Sequence, residues 1–380
     1  MRLVMAKNAL VAAVAASALG AGAAFAHHGF GRFDRTQEVT FSGTLTGIDF
    51  VNPHSYLRFD AVDADGVVTQ MRCEMRAATL LRRSGWTQEM FILGAHVDVY
   101  GFAHRDDPSS CYLENLTVGD APEVNRNDQF ATTPTVDRAR RPLRLASGEP
   151  NISGDWAQEQ GVIAVAPDGR SAGGLVPKSL KPGVEDGSIP VEEVTLMDWG
   201  PRPVAFTAAG QAAVDDFEMW SVEDNPRLRC EPTSIIFDWF FDGPVNRITQ
   251  EADRIVIDYG LYSFQRVIHM DIAAHPAELE PSNAGHSIGR WEGDVLVVDT
   301  VGFAPGVLNP PVPNSDQLHI VERYALDPET HALTRDYVAT DPVYYTDAYA
   351  GSDVVLIADA PFEAHPCDEL TPEFLGEAAP

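Results

Sequence analysis

Ser287-Ile-Gly-Arg-Trp291, Glu292-Gly-Asp294 and Val295-Leu-Val-Val-Asp-Thr-Val301 read in that order as strand, tight turn and strand. The pattern recurs outward from this hairpin. Upstream lie Asn246 to Gln250, Arg254 to Tyr262 and Gln265 to Asp271. Downstream lie Leu318 to Leu326, the turn Asp327-Pro-Glu-Thr330, Leu333 to Tyr337 and a last strand near Val354 to Ala358. A meander of this many strands closes on itself, because an open sheet edge invites pairing with other chains. Residues 151–380 are therefore expected to form a calycin-like up-and-down β-barrel or a strongly curved meander, an architecture that commonly holds one small apolar ligand.

Ahead of these strands the chain is Gly- and Pro-rich from Ile152-Ser-Gly-Asp-Trp156 to about residue 205 and reads mostly as loop. A short helix is expected from Thr207 to Met219, since Thr207 is a good cap for the Ala-rich run behind it. Residues 119–150 carry Ala121-Pro122, Thr132-Thr-Pro-Thr135 and a basic run from Arg138 to Arg144 without periodicity, as in a linker. Residues 27–118 form a second unit. Its strands are Val39 to Ile48, Tyr56 to Val62, Val67 to Met75, His96 to Gly101 and Cys111 to Thr117, with a helix from Arg76 to Phe91 before the last two. Three strands, a helix and two strands are the order of an OB-like five-stranded barrel with one helix. The fold class is all-β.

Arg2 and Lys7, an apolar stretch from Ala9 to Phe25, and Ala24-Phe25-Ala26 follow the order of a secretory signal peptide over residues 1–26. The apolar stretch is short and Gly-broken for a membrane anchor. A periplasmic or secreted protein without a membrane span is expected, with His27 as its first residue. Net charge of −29 argues against nucleic acid and anionic membrane surfaces as partners. Lys7, Lys178 and Lys181 are the only lysines. Four cysteines in an exported chain point to disulfides, one bridge in each unit: Cys73 with Cys111, and Cys230 with Cys367.

His27-His-Gly-Phe, Phe41-Ser-Gly-Thr-Leu and Val51-Asn-Pro-His-Ser-Tyr56 resemble a family of small exported proteobacterial proteins of unknown function, which open with His-His-x-Phe and carry Asn-Pro-His on the second strand. The second half resembles another uncharacterised exported family at Asp224-Asn-Pro-Arg-Leu-Arg-Cys-Glu-Pro232, at Gly285-His-Ser-Ile-Gly-Arg-Trp-Glu-Gly-Asp294 and at His319-Ile-Val-Glu-Arg-Tyr324. One departure is Met270-Asp-Ile-Ala-Ala-His-Pro276, where that resemblance implies Asp-Gly-Arg before the His-Pro. The two resemblances imply export and fold rather than an activity.

Three sets of side chains carry candidate chemistry. After cleavage at Ala26, His27 would offer an α-amine beside its imidazole. With His28 and His54 it makes a candidate metal site, and affinity order favours copper; the bland reading is a polar signal end and a turn histidine. The second set is His269, His275, His286 and His319 around one end of the barrel, with Glu322 as carboxylate partner and Arg290 as anion binder. His269, His286, Arg290 and Glu322 are the candidate catalytic residues. Histidines at hairpin ends also serve merely to hold loops. The third set, Phe237, Trp239-Phe-Phe241, Tyr259, Tyr262 and Phe264, lines a ligand cavity or, on the simpler reading, is core. Two functions follow: binding of a small apolar ligand or a metal ion, and, as the alternative, a lyase, isomerase or hydrolase acting on a small organic substrate.

Overall fold

A computed structural model describes residues 33–364, apart from positions 53, 64, 131–140, 220, 222 and 241–242. The signal segment, His27, His28 and Cys367 lie outside the described residues.

In the N-terminal part, strands alternate buried and exposed side chains and assemble in the order Val68–Glu74, Tyr56–Val62, Phe33–Asp49, His96–His104, Ser110–Val118 and Val124–Asn125. The first and fifth of these also pair in parallel, with Cys73 opposite Cys111, and this closes five strands into a ring. That is the OB-like order expected. Cys73 and Cys111 are bonded, their Cα atoms 4.4 Å apart, so the disulfide fastens the ring where it closes. Gly43 sits where Phe33–Asp49 crosses Tyr56–Val62 so closely that a Cβ would meet the Asp60 carbonyl oxygen at 2.2 Å. Leu57, Phe59, Leu81, Trp86, Val97 and Leu113 fill the interior. Each such side chain contributes about 1.5–3 kcal/mol on burial.

The helix expected over Arg76 to Phe91 is cut to Ala78–Arg83, followed by a 3-10 turn at Gln88–Met90. Gly85 takes φ +80°, a left-handed conformation that ends the helix while Trp86 and Phe91 still reach the core. Arg83 leaves this helix for the C-terminal barrel. It is buried and donates to Asp359, at 2.5 Å, and to the carbonyls of Gly243 and Gln158.

The C-terminal barrel is closed, with nine strands. Around it run Val245–Gln250, Arg254–Asp258, Gln265–His269, His286–Glu292, Val295–Val301, His319–Leu326, Leu333–Thr340, Tyr349–Ile357 and Gly154–Ala157. Two features depart from a simple meander. Gly154–Ala157, in the stretch read as loop, completes the barrel by pairing with both Val245–Gln250 and Tyr349–Ile357. It has only four residues, two of them buried, too few for alternation to stand out. Gln265–His269 and His286–Glu292 are parallel neighbours, through Ile268 opposite Ser287 and His269 opposite Ile288. Parallel strands cannot be joined by a tight hairpin, so residues 270–285 run back along the outside of the wall. The expected helix appears as Ala208–Asp216, its first turn capped by the Thr207 hydroxyl, which accepts from the Gly210 N–H at 3.0 Å.

The barrel interior is filled by the chain itself. Ile235, Ile236 and the short helix Phe237–Phe240 sit inside it, with Trp239 fully buried against Tyr259 and Tyr324. Phe237, Trp239, Tyr259 and Phe264 therefore pack as core. Polar groups fix this plug. Arg335 donates to the carbonyls of Ile235 and Ile236, at 2.8 and 3.2 Å, and Asn246 donates to that of Trp239 at 2.7 Å.

Candidate functional site

Side chains of a strand alternate between the two faces of the wall. On His319–Leu326, Ile320, Glu322 and Tyr324 point inward and are buried, while His319, Val321 and Arg323 face out. On Val295–Val301, Val298 and Thr300 are inward, and Asp299 is outward and partly exposed. Ser287 is inward beside Thr300, so His286 and Ile288 are outward; on Gln265–His269, Arg266 and Ile268 are inward and His269 outward. The register pairs Ile288 with Asp299 and His286 with Val301, which sets Asp299 diagonally across from His286. The connection outside the wall adds His275.

These outward groups meet. The His275 Nε2 lies 2.9 Å from Asp299 Oδ1, and its Nδ1 lies 2.8 Å from the Nδ1 of His286. His319 Nε2 reaches the second oxygen, Asp299 Oδ2, at 3.0 Å. The His269 ring stacks on His286 with centroids 5.0 Å apart and planes 15° from parallel. Burial pushes the Asp299 carboxyl up, but hydrogen bonds from His275 and His319 outweigh it and hold Asp299 below the usual range. It is thus an anion at neutral pH. A carboxylate only accepts, so His275 Nε2 and His319 Nε2 must carry protons toward it. In the neutral relay, His275 Nδ1 then accepts from His286 Nδ1–H, which leaves the His286 lone pair on Nε2. Desolvation first, then repulsion from His269 and His275, lowers the His286 pKa, so that at neutral pH this imidazole is uncharged. A neutral imidazole held by a second imidazole and a carboxylate is set to take up a proton, the partners fixing its tautomer and the carboxylate stabilising the cation that forms.

Of the residues singled out in the sequence, His269, His275, His286 and His319 come together; Arg290 and Glu322 do not join them. Glu322 lies three positions after His319 on one strand, an odd separation that places it on the opposite face. There it is fully buried and held by Arg266, Arg335 and the Tyr324 hydroxyl. Burial raises its pKa, but the two guanidiniums and that hydroxyl outweigh the rise and leave it lowered. Arg290 faces outward but farther along its strand, 61% exposed and paired with Glu292. The carboxylate of the site is Asp299. Its signal was a single acidic residue in the apolar run Val297-Val-Asp-Thr-Val301, legible once the hairpin register is drawn.

His54, from the other candidate set, lies in the N-terminal part with its Nδ1 3.3 Å from Glu74, a buried carboxylate. Among the described residues, no group of three His, Cys, Asp or Glu is arranged to hold a metal ion. Cys230 takes a left-handed conformation at the end of the Pro226–Arg229 turn, and no described cysteine is free. No helix among the described residues is long and apolar enough to cross a membrane.

Residues 14–111 match the model of a family of unknown function, DUF6152. The match spans the Asn-Pro-His stretch, the Cys73–Cys111 disulfide and most of the five-stranded ring. No curated protein and no solved structure matches the chain significantly.

Proposed function

We propose that the protein is an exported enzyme that moves a proton on a small organic substrate at the outer wall of its barrel. His286 is the base, His275 and Asp299 the relay that supports it, and His319 the second brace on Asp299. The observation that carries this reading is the continuous chain Asp299–His275–His286, with steps of 2.9 and 2.8 Å. That relay holds no Ser, Thr or Cys for His286 to activate, so the chemistry assigned to it is activation of water or removal of a proton from carbon. Hydrolysis of an activated ester, p-nitrophenyl acetate, is the simplest probe. The rate should rise with pH through a single ionisation below the ordinary histidine value, because the base works deprotonated and its pKa is lowered. His286→Ala should lower the rate about 100-fold or more, with partial rescue by added imidazole. An unchanged rate in that variant sinks the reading.

A second reading, a copper-binding N-terminus, draws on the His54–Glu74 contact. A carboxylate on one ring nitrogen is the usual way to orient a histidine that ligates through the other. Copper content of the processed protein, compared with His27→Ala and His54→Ala variants, tests it. Near-stoichiometric metal lost in both variants supports it, and absence of metal from the parent protein removes it.

A further inference from the structure

Lys178 and Lys181 are the only lysines beyond the signal segment, in a chain with 56 acidic residues. Lys181 is paired with Glu185 in the expected way. Lys178 makes no ion pair among the described residues; its amine reaches only the side-chain oxygen of Gln160, at 3.4 Å. It borders a cavity of about 280 Å³ that also meets Arg83, Glu159, Gln160, Asp359, Leu356 and Ile357. Both carboxylates at the cavity are engaged: Asp359 accepts from Arg83 Nε at 2.5 Å and from Gln160 at 3.3 Å, and Glu159 accepts from the Ser179 N–H at 2.5 Å. A half-buried amine thus faces a partly apolar cavity beside a buried guanidinium, with neither Asp359 nor Glu159 forming an ion pair with it.

Two outcomes relieve such an arrangement: an anion enters, or the amine gives up its proton. The surroundings favour the second. Desolvation lowers the Lys178 pKa, and although Asp359 and Glu159 oppose this, Arg83 adds to the lowering and the net shift is downward. Desolvation and a neighbouring cation are the two ways by which a lysine becomes a nucleophile toward carbonyl carbon.

We infer that Lys178 is a covalent binding site for a small aldehyde or ketone, held as an imine in this cavity. The Nζ lone pair attacks the carbonyl carbon, a C–N bond forms and the carbonyl π pair passes to oxygen. Two N–H protons and that oxygen then leave as one water, and a C=N bond remains. No oxidant or reductant is needed. Apolar contact with Leu356 and Ile357 would select carbonyl compounds with a short hydrocarbon part. The site shares no residue with the histidine cluster and stands or falls independently of it.

The test uses the full-length exported protein with propanal and sodium cyanoborohydride at pH 7.5, followed by peptide mass spectrometry. Lys181, three residues away, is the control in the same chain. Reductive trapping at Lys178 is expected to run severalfold faster than at Lys181 and to saturate with propanal concentration. Lys178→Arg should keep the thermal midpoint and lose all trapping at that position. Similar rates at the two lysines, a rate linear in propanal, or an absence of trapping would each overturn the inference; the comparison within the parent chain needs no variant to fold.

Discussion

The two faces of one barrel wall carry nearly the same chemistry and put it to different uses. Inside, Arg266, Glu322, Arg335 and Asp353 form a run of ion pairs to which Tyr324, Ser287 and Thr300 add hydrogen bonds, leaving the Arg266 Nη1 as a buried nitrogen with no hydrogen-bond partner among the described residues. Outside, on several of the same strands, Asp299 gathers His275 and His319, and His275 passes the contact on to His286. The inner charges are fully buried and matched two against two, so there is little for them to react with. The outer set is partly exposed, and its last member has a nitrogen to spare. Burial, more than residue type, separates a structural charge network from one able to do chemistry.

The largest effect should come from the inner face. Glu322→Ala leaves the buried Arg266 guanidinium without a carboxylate and is expected to cost about 3–5 kcal/mol, read by urea unfolding. Asp299→Asn, its outer counterpart, should change stability by less than about 1 kcal/mol while lowering ester hydrolysis nearly as far as His286→Ala does. Equal destabilisation by the two variants would erase the contrast between the faces.

A third change bears on the plug. Asp238 is fully buried and raised by that burial to about 6 from 3.8, against the pull of Arg227 and two backbone N–H groups. The folded state therefore binds its proton more tightly than the unfolded state does. Stability from this group is present below pH 4 and lost as pH rises toward 6, a change on the order of 3 kcal/mol. Asp238→Asn should flatten that slope in urea titrations between pH 4 and 7; an unaltered slope would show that the proton is taken up elsewhere. The smallest effect belongs to Arg290→Ala, which removes an exposed pair with Glu292 and should shift stability by less than about 0.5 kcal/mol and leave hydrolysis unchanged.

Strand alternation made much of this architecture readable in advance. The OB-like ring and the run of barrel strands follow from period-two patterning, and the Cys73–Cys111 bridge from where two strands end and begin. Gly154–Ala157 was hidden by its shortness, and the parallel step beside residues 270–285 by the fact that no local pattern reports which way a neighbour runs. The four histidines are legible as a group because strand ends and the 270–285 connection bring them to one end of the barrel. Their carboxylate is harder to read, because nearness in sequence and side-chain parity disagree: Glu322 is close to His319 along the chain and on the other side of the wall, while the hairpin register puts Asp299 on the same side.

The placement of Gly154–Ala157 between Val245–Gln250 and Tyr349–Ile357 also sets the order in which this molecule can be made. The keystone of the ring emerges first, and the strand it must finally meet emerges some two hundred residues later. Until then the growing sheet has two bare edges, a state prone to pairing with other chains and slow to resolve because the closing contacts are so distant in sequence. A ribosome stalled near residue 340 would release a protein with nearly all its core residues and no closed barrel. Such a fragment should be found in aggregates.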